Sequence, residues 1–171
     1  LAPALAGDAP QQSARSAAEI MDILMWNREP VGGPFALTDQ AGHQRTDKEF
    51  RGRLMLVYFG FTYCPDVCPT DLQAIGLALD KLGRDGDQVQ PIFITVDPRR
   101  DTQARVGEFA DAFGAPLIAL TGTPAAVDQA ARAFAVYHNR GKDLPGGGYL
   151  VDHSRAAYLM DADGHPIAIL P

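Results

Sequence analysis

Residues Leu54 to Phe61 read LMLVYFGF, a run with no charged residue that leads straight into TYCPDVCPTDL. An unbroken apolar stretch of this length is buried on both faces, as a central strand is between two helical layers. Beyond the cysteines, Leu72, Ile75, Leu79 and Leu82 recur with helical spacing. The chain must therefore place a buried strand inside a sheet and turn it directly into a helix.

The remaining elements extend that plan. Pro91–Val96 and Leu117–Leu120 read as two further buried strands. Thr102 caps a helix reaching Phe113, and Thr123-Pro124 opens another with proline in the first turn. At the end, AAYLMD and HPIAIL flank Asp161-Ala162-Asp163-Gly164, a hairpin signal. Before the central strand, PFALT reads as a strand, Asp39–Gly42 as a turn, and Thr46 with Glu49 as the capping box of a brief helix ending near Phe50. The expected class is α/β, a thioredoxin-like fold with a central mixed sheet and an additional N-terminal β-hairpin. It occupies residues 31–171 after the break at Val31–Pro34. Residues 1–30 read as a tail whose Ile20, Met21, Ile23, Leu24 and Trp26 suit a short amphipathic helix.

A chain of 171 residues is long enough to bury a core without covalent staples, and its two cysteines make no disulfide framework. A net charge of −6 speaks against nucleic-acid binding, which needs clustered Lys and Arg. No apolar run reaches the ~18 to 20 residues of a membrane span. Chemistry is therefore sought at the cysteines.

Cys64 and Cys68 lie where the strand enters the helix, so unpaired amides and the positive end of the helix dipole are expected to favour a thiolate. Pro65 and Pro69 restrict the loop and first turn. Such a pair closes a disulfide or clasps a soft metal ion, and the spacing alone does not choose. His153, just before the late strand Ala156–Asp161, adds a third donor. A redox catalyst of this fold carries a proline in that neighbourhood, but none occurs between Pro145 and Pro166. Two thiolates and an imidazole suit copper, whereas zinc asks for a fourth ligand. Asp152 or a backbone carbonyl is expected to orient the ring. His43, His138 and His165 read as ordinary histidines.

With GGPFALTDQAG, VYFGFTYCPDVCPTDL, FITVDPRRD, LTGT and VDHSRAAYLMDADG in place, the chain closely resembles the Sco/SenC family, the copper chaperones of cytochrome c oxidase assembly. The resemblance implies Cys64, Cys68 and His153 as ligands for Cu(I) and Cu(II). It implies delivery of copper to the CuA centre of cytochrome c oxidase subunit II, and a membrane-anchored thioredoxin-like reductase as a second partner. The implied location is the bacterial periplasm, held to the inner membrane by an N-terminal anchor outside this sequence, or the mitochondrial intermembrane space in a eukaryote. Members also continue into a C-terminal helix after the last strand, which this sequence does not contain. A monomer is expected.

Rival readings keep the same residues: a thiol–disulfide oxidoreductase or thiol peroxidase acting through Cys64 and Cys68, or a redox signalling protein without copper transport. The loop Asp97, Arg99, Arg100, Asp101 reads as a charged turn, with partner docking as the alternative. Asp66 reads as a tuner of thiolate acidity, a partner contact or a loop solubiliser. Gly146-Gly147-Gly148 reads as a flexible hinge before the His153 loop.

Overall fold

The computed structural model describes residues 31–113 and 116–170. The amphipathic helix expected over residues 20–26 lies outside them. Strands β1 (Ala36–Asp39) and β2 (Gln44–Thr46) form the N-terminal hairpin, followed by a 3-10 turn at Asp47–Phe50 that carries the expected Thr46/Glu49 capping box. Strand β3 (Leu54–Gly60) leads to helix α1 (Val67–Leu82) and strand β4 (Val89–Thr95). Helix α2 (Gln103–Asp111), strand β5 (Ile118–Thr121) and helix α3 (Pro124–Ala133) complete the alternating part. A hairpin of β6 (His138–Asp143) and β7 (Tyr149–His153) precedes β8 (Ala157–Met160) and β9 (Pro166–Leu170).

Seven strands form one mixed sheet in the order β2-β1-β5-β4-β3-β8-β9. Its centre, β5-β4-β3, is parallel, and β1 and β8 flank it antiparallel. Parallel neighbours need crossover connections, which α1 and α2 supply. The arrangement is the thioredoxin-like fold with an added N-terminal hairpin.

The apolar run that dictates this plan is deeply enclosed, together with β4 beside it. Val57, Phe59, Ile92, Phe93 and Ile94 are fully buried, and Phe59, Phe134 and Tyr158 pack with ring centroids 5.4 to 6.3 Å apart. Thr102 and Thr123 cap their helices as expected, accepting from the amides of Arg105 and Ala126. On α1 only the inner end of the apolar stripe is covered: Leu72 is buried, Ile75 and Leu79 are partly buried, and Leu82 at the helix end is exposed. The edge strand β9 leaves Ile167, Ile169 and Leu170 exposed.

Two regions differ from the sequence reading. The segment around Gly146–Gly148 is the turn of the β6–β7 hairpin rather than a hinge. All three glycines adopt left-handed φ, from 85° to 97°, and the Leu144 amide donates to the Gly148 carbonyl. The loop after β4 is a turn, with the Asp101 amide donating to the Asp97 carbonyl, yet Asp97 and Asp101 are buried. The Asp101 carboxylate accepts from the Thr62 amide, the Thr62 hydroxyl and the Thr95 hydroxyl at 2.6 to 3.0 Å. Burial pushes its carboxyl above the ordinary range despite those bonds.

Asp101 thus ties the turn after β3 to the end of β4. Asp101→Ala leaves buried donors unpaired and should cost about 3 kcal/mol. Asp101→Asn, which keeps one acceptor oxygen, should recover part of that loss. Urea unfolding of the two variants checks the order.

Candidate metal centre

The site begins where β3 stops. Gly60 ends the strand, the Cys64 amide donates back to the Phe61 carbonyl at 3.1 Å, and α1 starts only at Val67, with Asp66 in the capping position. Proline at 65 restricts the chain here, and Cys64 precedes the helix while Cys68 is its second residue. The Cys68 amide donates to Cys64 Sγ at 3.4 Å, so the helix entrance turns one thiol towards the backbone of the other. Both cysteines are free; Cys64 is half-buried and Cys68 fully buried. Gly60 leaves the room this requires. A methyl group there would meet Cys68 Sγ and the Phe93 ring at 3.0 Å, closer than ordinary carbon contacts.

His153 arrives from the other side, as the last residue of β7. Its Nε2 lies 3.4 Å from Cys68 Sγ, across 85 residues of sequence. Its Nδ1 lies 2.8 Å from the Ser154 carbonyl oxygen, which can only accept, so Nδ1 carries the proton. The Nε2 lone pair is therefore left facing Cys68, the arrangement an imidazole ligand needs. The orienting group is this carbonyl; Asp152 is exposed. Phe61 packs edge-on against the imidazole at 5.9 Å. Burial lowers the histidine's proton affinity, which keeps the ring neutral at pH 7.

Burial has the opposite consequence for Cys68, whose thiol is pushed up to about 12 with Cys64 adding to the effect. The thiolate expected at the helix entrance is therefore not the resting state of Cys68. Removing the sulfur from water outweighs the opposing influence of the Phe61 backbone, and the thiol is placed to donate to His153.

A brace beneath the site escaped the sequence reading. Tyr58 in β3 donates to Asp71 Oδ2 at 2.9 Å, and Arg155 grips both Asp71 oxygens at 2.8 and 2.6 Å. Arg155 holds the Asp71 carboxyl below the ordinary range. One carboxylate on α1 thus joins the cysteine-bearing elements to the segment after His153. A tyrosine in an otherwise apolar strand was the available signal, since a buried phenol requires a partner.

The other histidines stay apart from the sulfurs. His43 and His165 are exposed in turns beside Asp39 and Asp161. His138 is the cross-strand neighbour of His153 and pairs with Asp128 of α3 at 3.2 Å. Asp161, Asp163 and His165 also cluster, but the Asp161 carboxylate is engaged by the amides of Asp163 and His165 and closes the β8–β9 turn. Asp66 is exposed, and its backbone oxygen receives Thr70.

The SCO1/SenC family model matches residues 25–171. The chain belongs to the SCO1/SenC family. Among related proteins, the human mitochondrial SCO1 homolog is 41% identical over 136 residues, which cover 78% of this chain and 45% of the human protein. The chain spans about half the length of the curated relatives it matches. Bradyrhizobium japonicum ScoI, solved with copper bound, is 42% identical with a TM-score of 0.77, covering 82% of this chain and 89% of that one. Yeast Sco1 with copper bound is 41% identical, also at a TM-score of 0.77, covering 83% and 80% respectively.

The unequal burial of the two thiols has a direct chemical readout. At pH 8, alkylation should modify Cys64 first, with Cys68 at least about a hundredfold slower, and Cys68 gaining about tenfold per pH unit towards its raised value. Mass spectrometry of Cys64→Ser and Cys68→Ser proteins measures both rates.

Proposed function

We propose that Cys64, Cys68 and His153 bind copper as a cargo, and that the domain serves as a copper chaperone in cytochrome c oxidase assembly. The observation that carries this reading is the lone pair of His153 Nε2 aimed at Cys68 Sγ, with the other ring nitrogen fixed by a backbone carbonyl. A proton shared between these two atoms and a soft cation bound by both make the same geometric demand. Three donors of this kind fit Cu(I), and with further ligands Cu(II). The copper-bound relatives from Bradyrhizobium japonicum and yeast support the choice of metal.

Loading releases the thiol protons of Cys64 and Cys68 as the two sulfur–metal bonds form. His153, already neutral, releases none. Oxidation of the pair forms one S–S bond, giving up two electrons and two protons, and removes both sulfur donors. Loading therefore requires reduced cysteines, and in an oxidising compartment a thioredoxin-like, membrane-anchored reductase would supply the electrons. The recipient would be the CuA centre of subunit II. The compartment would be the bacterial periplasm, or the intermembrane space for a mitochondrial protein, with residues 1–30 linking the domain to an anchor. The chain would act as a monomer without nucleic acid.

An anaerobic Cu(I) titration against a competing chelator tests the site. Reduced protein should hold one copper per chain, His153→Ala should weaken it by about ten- to a hundredfold, and the disulfide form should lose binding altogether. Weak binding indifferent to His153 would return Cys64 and Cys68 to thiol–disulfide exchange or peroxide chemistry.

A further inference from the structure

The β6–β7 hairpin is a two-stranded sheet of its own, and its ladder bonds run only between its two strands. It nevertheless carries His153. Alternate residues of a strand share a face, so Tyr149, Val151 and His153 lie on one side of β7. Val151 is buried, while Leu150 and Asp152 on the opposite side are exposed. Something must hold that inner face against the domain, because a two-stranded hairpin is marginal by itself.

His138 ties β6 to Asp128 of α3, and the groups that hold the inner face of β7 come from the turn after β4. Tyr149 donates its hydroxyl to Asp97 Oδ1 at 2.8 Å, and Arg100 Nε donates to Asp97 Oδ2 at 2.5 Å. Asp97 is only 4% exposed, and its own amide donates to the Thr95 hydroxyl. The Arg100 guanidinium carbon sits 3.6 Å from the Tyr149 ring centroid and 5.9 Å from that of Phe61, whose ring packs on the His153 imidazole. Arg100 Nη2 is buried and has no hydrogen-bond partner among the described residues. A buried cationic nitrogen without a partner is costly. It is retained here where the guanidinium lies on an aromatic ring, an attraction worth most away from water.

We infer that Asp97, Arg100 and Tyr149 form a clasp that positions His153 for metal binding, by fixing the β6–β7 hairpin and backing the Phe61 ring. No hydrogen bond, ion pair or ring contact joins the clasp to either cysteine or to His153 itself. It acts through the strand that Tyr149 and His153 share, and through Phe61. Arg99 of the same turn is exposed and lies outside the clasp. The inference rests on the copper-site reading above, and the test separates the two.

Tyr149→Ala, Tyr149→Phe and Arg100→Gln would be made with His153 present and again with His153→Ala. Cu(I) affinity would be measured by chelator competition and the Cu(II) site by electron paramagnetic resonance. With His153 present, Tyr149→Ala and Arg100→Gln should each weaken Cu(I) by about tenfold and alter the Cu(II) spectrum, as loss of an orienting group does. Tyr149→Phe, which keeps the ring but loses the bond to Asp97, should fall between. With His153→Ala, the same changes should move affinity by less than about twofold, since the imidazole they orient is gone. Equal losses in both backgrounds, or no loss with His153 present, would overturn the clasp. In metal-free protein, amides of β6 and β7 should exchange faster in Tyr149→Ala while those of β3 and β4 stay protected. If His153→Ala itself left copper binding unchanged, the copper-site reading would fail, and unaltered hairpin exchange would then overturn the clasp independently.

Discussion

The contact between Cys68 Sγ and His153 Nε2 joins two parts of the molecule built on opposite principles. The sulfur is fixed at the entrance of a helix fed by a deeply buried strand, and by a glycine that gives it room. The imidazole is fixed by a peripheral hairpin whose strands are mostly solvent-facing. The fold's work is to make these meet within a hydrogen-bond length. The Asp71 brace does so from below, linking β3, α1 and the segment after His153.

Enclosure sets the chemistry of that contact. A sulfur withdrawn from water holds its proton tightly, and an imidazole withdrawn from water sheds its own. The resting pair is therefore a thiol beside a neutral ring, with no net charge to desolvate. A soft cation bound there would replace the proton and offset the ionisation of the sulfur through metal–sulfur bonding. Cys64, the less buried of the two cysteines, would be the natural point of entry for a metal or an oxidant. Restricting access to one of two thiols also disfavours indiscriminate thiol exchange.

Much of this was legible in the residues. LMLVYFGF announced the central strand because a doubly buried strand has no need to alternate, and Thr102, Thr123 and Asp161-Ala162-Asp163-Gly164 marked helix starts and the last turn through local hydrogen bonding. Cys64, Cys68 and His153 stood out by residue type and neighbourhood, and the structure places His153 beside Cys68. The hairpin stayed hidden because HNRGKD carries no apolar alternation; its strands are held by their own ladder and by contacts made elsewhere. Tyr58, Asp71 and Arg155 could not be paired from sequence, since their bonds span 13 and 84 residues. The acidity of Cys68 was misjudged for a related reason: helix position is local and readable, whereas burial is a property of the assembled fold.

In the proposed site two sulfurs and one imidazole nitrogen share a single copper ion. X-ray absorption of the anaerobically loaded Cu(I) protein reads that donor set directly. Scattering should come from two sulfurs and one imidazole per copper, with the imidazole contribution gone in His153→Ala. A shell of sulfur alone, identical with and without His153, would contradict it.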